Sequence, residues 1–399
     1  MTREEHIRAK ARQEKRRATG KKSREAAKGS VDLPFLLLTI LLTGIGLIML
    51  FSASFPSAYY ESGDGAYYVK RQALFAALGF IAMAAVGKAN YQRLRGLAKI
   101  TVGVALFLLI LVIIPGVGIT INNATRWLGV GTLLTFQPSE IAKLAIILYF
   151  ADSISKKEEK MQNFRTGIVP YMVILAAFAL LMLLEPHLSG TVLIVGIGVV
   201  MMIVGGISGW LVGAGIGGVT TVGFLFIKLV ESGVIRYGAS RIEMWKNPWI
   251  DPQNDGYQMC QSLISIGSGG LLGVGFGKSR QKFLFLPEEH NDFIFAIVCE
   301  ELGMIGACII MLIFAMLILR GFWIALHARD RFGTLLVVGI MTQVGLQTFL
   351  NIAVVTSFIP ATGISLPFFS YGGTALALQL LEMGIVLSVS RQIPAPRNG

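Results

Sequence analysis

The chain has 399 residues, 54% hydrophobic and only 15% charged, with a formal net charge of +12. That is more apolar material than one water-soluble core buries, so a soluble domain and a disordered chain are both excluded. The positive charge does not imply nucleic acid, because 11 of the 35 Lys and Arg residues lie in residues 1–30, ahead of the first apolar run.

In chain order, residues 1–32 form a basic tail, RAKARQEKRRATGKKSREAAK, with no apolar run and too little to bury to fold alone. The expected class is all-α, a polytopic membrane domain over 33–391, followed by a short tail at 392–399. Ten apolar stretches fit a bilayer crossing of ~30 Å: about 34–54, 71–87, 98–116, 138–154, 166–185, 189–205, 209–229, 292–319, 333–356 and 371–390. The first is too long, and lacks the small-residue cleavage site, for a removed signal peptide.

Basic segments stay cytoplasmic, which puts both termini inside. Threading ten spans then leaves the basic segments 88–99, 155–165 and 320–332 inside as well. Segments 55–70, 117–137, 230–291 and 357–370 face outside, and the large extracytoplasmic loop lies between the seventh and eighth spans. Cys299 and Cys308 fall in a span and Cys260 is the sole external cysteine, so no disulfide joins external loops. No Cys/His spacing suggests a metal site.

The large external loop carries Arg236, Arg241, Lys246, Lys278, Arg280 and Lys282. Such a set suits either an anionic ligand or a solvated basic face near lipid headgroups. Within it, YQMCQSLISIG (257–267) reads as a short amphipathic helix closed by Gly267. GSGGLLGVGFGKSRQKF (267–283) follows, and its amide N–H groups are expected to be able to cradle phosphate oxygens. GVGFGKS is not a nucleotide-binding loop: Leu272 stands where that motif needs its first glycine, and no strand–loop–helix unit surrounds it.

Charges at the mouths of spans are the remaining candidates. Asp292, in PEEHNDFIFA (287–296), reads as a general base whose proton affinity is tuned by burial and nearby cations, or as a carboxylate satisfying a helix N-terminus. His290 is an alternative base. Glu140 and Lys143 share one face at i and i+3 of QPSEIAKLAII, where they also read as a self-neutralising pair. Arg126 lies just upstream. Glu300, Glu301 and Glu382 are intramembrane carboxylates, read as interior polar pairs or as functional groups. His187 reads as a satisfied interfacial histidine.

NATRWLGVG, QPSEIAKLA, DGYQMCQSLISIGSGGLLGVGFGKSRQKFLFLPEEHNDFIFAIVCEELG and NIAVVTSFIPATGISLPFFSYGGTA occur in that order. Together they resemble the SEDS family (shape, elongation, division and sporulation), over about 34–390. The resemblance implies a ten-helix glycosyltransferase of the cytoplasmic membrane, multi-pass, with an extracytoplasmic active site that polymerises lipid II into peptidoglycan glycan strands. The family's essential aspartate falls on Asp292, its QPSE glutamate on Glu140 and the following lysine on Lys143.

The partners implied are lipid II and the growing strand, a class B penicillin-binding protein, divisome proteins and membrane lipids, with no nucleic acid. Pyrophosphate stabilisation is assigned to some of Arg126, Lys143, Arg241, Arg280 and Lys282. A divalent cation (Mg2+ or Mn2+) held by the carboxylates is left open. The long basic tail and PFFSYGGTA lean toward the division and sporulation members rather than the elongation ones. Two departures stand out: Asn291 replaces a threonine in HTDFIF, and PHLSGT carries His187 where the family's PDxGT turn has an aspartate. A lipid-linked precursor flippase or transporter, using Glu300, Glu301 and Glu382, is the competing reading from another class. A scaffold that only recruits a transpeptidase is the third.

Overall fold

In the computed structural model the chain is described over residues 29–121, 124–130, 134–211, 213, 217, 228 and 239–393. The basic tail to residue 28, most of the expected 209–229 span, Arg236 and the end from 394 lie outside the described residues.

Membrane-length helices are α1 (Leu33–Ser62), α2 (Tyr67–Lys88), α5 (Val169–Leu184, extended upstream by a π turn from Phe164), α9 (Ile294–Leu326), α10 (Arg331–Val355) and α11 (Gly373–Ser390). The apolar α3 (Ala98–Ile113) and α6 (Leu188–Val204) are shorter, and α4 (Pro138–Lys156) carries charges at both ends. These helices are apolar on most faces because lipid solvates their outer surface as well as neighbours solvate the inner one. Leu74, Ile81 and Phe107 accordingly face outward. The most apolar windows of α10 and α11 are 72% and 67% buried against 22% for α2, which makes α10 and α11 the centre of the bundle. Tight packing at the rim uses small residues: a Cβ at Gly384 of α11 would meet the Met83 carbonyl oxygen of α2 at 2.6 Å.

One end of the bundle is a clamp of ion pairs. Asp32 caps α1 by accepting from Phe35 N (3.0 Å) and pairs with Arg320 near the end of α9 (2.7 Å). Asp330 caps α10 through Gly333 N and also receives Tyr91 Oη (2.8 Å) and Gln92 Nε2 (2.6 Å). The site described below occupies the other end.

The all-α expectation holds for the bundle and fails for segment 117–137. There β1 (Ile119–Ile121), β2 (Ala124–Val130) and β3 (Leu134–Phe136) form an antiparallel sheet in the order β1-β2-β3, with Ile119 opposite Trp127 and Leu128 opposite Phe136. Alternating β-branched and aromatic residues here favour strands, a signal obscured by the turn residues around it. The short helix expected at 257–267 is α8 (Tyr257–Gly269), closed at Gly270, preceded by α7 (Ala239–Lys246).

The eighth expected span is two helices in one. At Gly303 the backbone of α9 turns to φ 67, ψ −174. Its broken ladder is completed by the glycine-rich loop: Met304 N and Ile305 N donate to Gly270 O and Leu271 O, while Val274 N and Gly275 N donate to Glu300 O and Glu301 O. Two of the amides expected to be able to cradle phosphate in 267–283 are thus committed to helix carbonyls. The segment beyond the break, 304–326, is about 34 Å long at 1.5 Å per residue, enough to span hydrocarbon without the upper turns.

Candidate active site

Asp292 lies in the turn immediately before α9, and the chain from 357 to 372 wraps it. Its backbone carbonyl accepts from Asn351 Nδ2 of α10 (2.7 Å), whose amide also donates to Ile364 O (2.6 Å). A Cβ on Gly363, which sits at φ 64, would lie 3.0 Å from Asp292 Oδ2, so glycine is what lets the loop approach the carboxylate. The neighbouring turn is fixed by Ser370 Oγ donating to Asn291 O (2.7 Å) and Tyr371 N donating to His290 O (2.9 Å). From α2, Gln72 Nε2 donates to Ser370 O (3.1 Å) and Gln72 Oε1 accepts from Gly372 N (3.1 Å).

The electrostatics follow from this enclosure. Burial, then the Glu288 charge, push the Asp292 carboxyl up to about 6, against the opposing pull of Arg126 and His290. It is thereby placed where a proton acceptor works near neutral pH. His290 stacks on Tyr68 at 4.5 Å between centroids and has Nδ1 3.3 Å from Glu289 Oε1.

Arg126 projects from β2 toward the turn between α5 and α6, where its guanidinium donates to Pro186 O. Burial raises the Glu185 carboxyl to about 8 against the pull of the same arginine. His187 is pushed down to about 3 by burial and by Arg126 and Lys143, so it stands as a neutral imidazole. Glu185 Oε1 and His187 Nδ1 are buried without a protein partner, although buried polar groups are normally paired. Lys143, buried in the first turns of α4, holds Glu140 Oε1 at 2.7 Å. Glu382 Oε2 accepts from Gln343 Nε2 at 2.9 Å.

Of the expected site residues, Arg126 and His290 act on the Asp292 carboxyl and Arg126 and Lys143 on His187, while Lys143 pairs with Glu140. Three stand apart. Arg241 is exposed on α7, and the Arg280 side chain is exposed while its backbone N donates to Glu300 Oε1 (2.9 Å). Lys282 is buried, its ammonium 2.9 Å from Glu301 Oε1, so it is engaged by a carboxylate rather than presented to a phosphate. Asn351, Gly363, Gln72, Ser370 and Glu185 were not singled out in the sequence, where only the polar residues inside apolar runs hinted at them. Among the described residues no three His, Cys, Asp or Glu side chains converge on one point.

The FtsW/RodA/SpoVE family, described as cell cycle proteins, matches residues 33–394. The chain belongs to this family. It is 44% identical over 368 residues to Stage V sporulation protein E of Bacillus subtilis, covering 91% of this chain and 98% of that one. It is 41% identical over 367 residues to a probable peptidoglycan glycosyltransferase FtsW of Geobacter metallireducens, covering 91% and 95%. Among solved structures, a chain of a peptidoglycan synthase complex that coordinates polymerization and crosslinking superposes with a TM-score of 0.75 at 26% identity, covering 91% of this chain and 98% of that one. The rod shape determining protein RodA of Thermus thermophilus gives 0.67 at 26% identity, covering 92% and 99%. With several membrane-length apolar helices, this FtsW/RodA/SpoVE member is a multi-pass membrane protein.

Within that scaffold the Lys143–Glu140 pair gives a direct test of burial. Lys143→Met strands Glu140 in a partly dry site and is expected to lower unfolding free energy by on the order of 2–3 kcal/mol, the low side for a buried pair because Glu140 keeps some solvent contact. The double variant Glu140→Gln, Lys143→Met removes both charges and is expected to recover most of that loss in thermal unfolding. Equal stability of the two variants would contradict the pairing.

Proposed function

We propose that this chain is a peptidoglycan glycosyltransferase that polymerises lipid II into glycan strands at the outer face of the cytoplasmic membrane, with Asp292 as general base. Supporting the activity are the FtsW relatives bearing that name and the SEDS motifs. The observation that carries the mechanism is Asp292 itself: its backbone carbonyl is held by Asn351, its carboxylate is approached by Gly363, and burial raises that carboxylate to about 6 against the pull of Arg126.

In the reaction, the acceptor sugar's 4-hydroxyl gives its proton to Asp292 while its oxygen bonds to the donor's anomeric carbon. The bond from that carbon to the lipid pyrophosphate breaks, and the pyrophosphate leaves with the electron pair. Such a leaving group needs neutralising charge more than a proton. Arg126 is the cation assigned to it, while Lys143, buried and paired with Glu140 as Lys282 is with Glu301, backs the site from behind; Arg241 and Arg280, exposed on the loop, are assigned to the approaching substrate. The polyprenyl tail remains in lipid while the sugars react in water, which suits a site at the end of the bundle.

The ten-span arrangement with both termini cytoplasmic, the class B penicillin-binding protein partner and the divisome setting belong to the same proposal. Bacillus and Geobacter relatives above 40% identity favour the division and sporulation branch over elongation. The transporter reading loses two of its midplane groups, because Glu300 and Glu301 are fully engaged by neighbours.

The test is glycan synthesis from labelled lipid II by the purified chain with a class B transpeptidase, followed from pH 5 to 9. Because the base must be ionised, activity is expected to fall as pH drops through about 6. Polymer made at equal rates down to pH 5 would remove Asp292 from that role. No polymer with any partner would return the chain to the transporter or scaffold class.

A further inference from the structure

Glu300 and Glu301 are 2% and 1% exposed on the last turn of α9 before its break. Ser52 Oγ of α1 lies 2.7 and 2.8 Å from the two carboxylate oxygens of Glu301, and Lys282 Nζ lies 2.9 Å from one of them and 3.1 Å from Ser52 Oγ. Glu300 Oε1 accepts from Arg280 N (2.9 Å); its Oε2 accepts from Ser279 Oγ and from Ser265 Oγ of α8 (3.2 Å). One buried network thus joins α1, α8, the loop at 279–282 and the upper part of α9.

The upper part of α9 is short, 294–302, and Asp292 stands two residues before it. The break at Gly303 separates it from the helix below, so its direction depends on what grips it from the side. The grip consists of the packing of Phe293 to Val298, all at most 2% exposed, together with the glycine-loop backbone pairs and this carboxylate network, which hold its far end. Segment 279–293 is held at one end by Lys282 and at the other by Asn351, Ser370 and Tyr371, and Leu286 between them is fully buried. A buried ion pair contributes little to stability relative to apolar residues of similar volume, whereas a fully satisfied polar network fixes a single geometry.

We infer that Glu301, Lys282 and Ser52 form a latch that positions Asp292 for catalysis: they are positioning residues that act through the half-helix 294–302. The assignment rests on Asp292 being the base. Loosening the latch leaves substrate binding intact and moves the carboxylate away from the acceptor hydroxyl, and misplacement on the ångström scale costs roughly 100-fold in rate.

The test uses the full chain in nanodiscs with its transpeptidase partner and labelled lipid II, comparing wild type, Glu301→Gln, Lys282→Met, Glu301→Asp and Asp292→Asn. Expected for Glu301→Gln and Lys282→Met is a roughly 10- to 100-fold loss of kcat per folded enzyme, with KM for lipid II changed by less than about twofold. The acidic limb of kcat moves by at least about half a pH unit, amide exchange over 284–296 accelerates, and Glu301→Asp recovers part of the rate by keeping the charge.

A lower melting temperature with kcat per folded enzyme, acidic limb and exchange over 284–296 all unchanged would overturn the proposal and leave the network a stability element. Should Glu301→Gln fail to fold, Ser52→Ala keeps both charges and is read by the same measurements. An active Asp292→Asn would sink the base reading instead. Exchange over 284–296 in Glu301→Gln then decides the latch alone: acceleration supports it and no change overturns it.

Discussion

Asp292→Asn is expected to abolish glycan synthesis while making the protein more stable above neutral pH. General-base contributions run from about 100- to 10,000-fold, and asparagine retains the shape but accepts no proton. The stability gain follows from the direction of the shift. Burial holds the folded-state carboxyl at about 6, above its ordinary value of 3.8, so the folded protein binds this proton more tightly than the unfolded chain. The cost of ionising Asp292 therefore accrues as pH rises from about 4 to 6 and is full above about 6, on the order of 1–3 kcal/mol for a shift of this size. Asparagine removes that cost. Thermal unfolding is expected to show the variant ahead of wild type at pH 8, with the margin closing as pH falls from about 6 to 4. An equal margin at both pH values would mean that Asp292 is not desolvated.

Gly303→Ala is expected to be among the costlier single methyl additions to the fold. Its φ of 67 with ψ of −174 lies in a region essentially closed to residues with a Cβ, about 1–3 kcal/mol on its own. An added Cβ would also lie 2.3 Å from Gly273 N and 2.6 Å from Leu271 O. Both are backbone atoms, so no side-chain rotation relieves the clash, and forced overpacking adds roughly 1–3 kcal/mol. Relieving it means separating the glycine loop from α9 and with it the seat of Asp292. Gly277→Ala is the control: it has φ 77 but nothing within 4 Å of the added Cβ, so it carries the conformational cost alone. A Gly303→Ala protein as stable and active as Gly277→Ala would contradict the loop–helix seam.

The membrane helices were legible because a run of apolar residues is nearly sufficient information when lipid is the solvent. Asp292, Glu140 and Lys143 draw notice in the sequence because a charge at the mouth of an apolar run breaks the pattern around it. Lys282 stands among the candidate pyrophosphate cations for the same reason, yet it is buried against Glu301. Sequence displays the charge but not the partner, and Glu301, nineteen positions away, meets it only because α9 breaks at Gly303. The break was hidden because a glycine inside an apolar run usually continues the helix. Asn351 and Gly363 were invisible as site residues for a related reason: their work is backbone support, one amide and one missing Cβ, which carries no pattern of its own. The β1–β3 sheet was obscured by turn residues and shortness.

The most direct measurement is single-turnover polymerisation by wild type and Asp292→Asn, each preloaded with labelled lipid II in complex with the transpeptidase, with lipid II affinity measured on the same samples. The predicted result is equal binding, with strands from wild type and none from the variant. Strands from both at comparable rates would contradict the claim that Asp292 takes the proton.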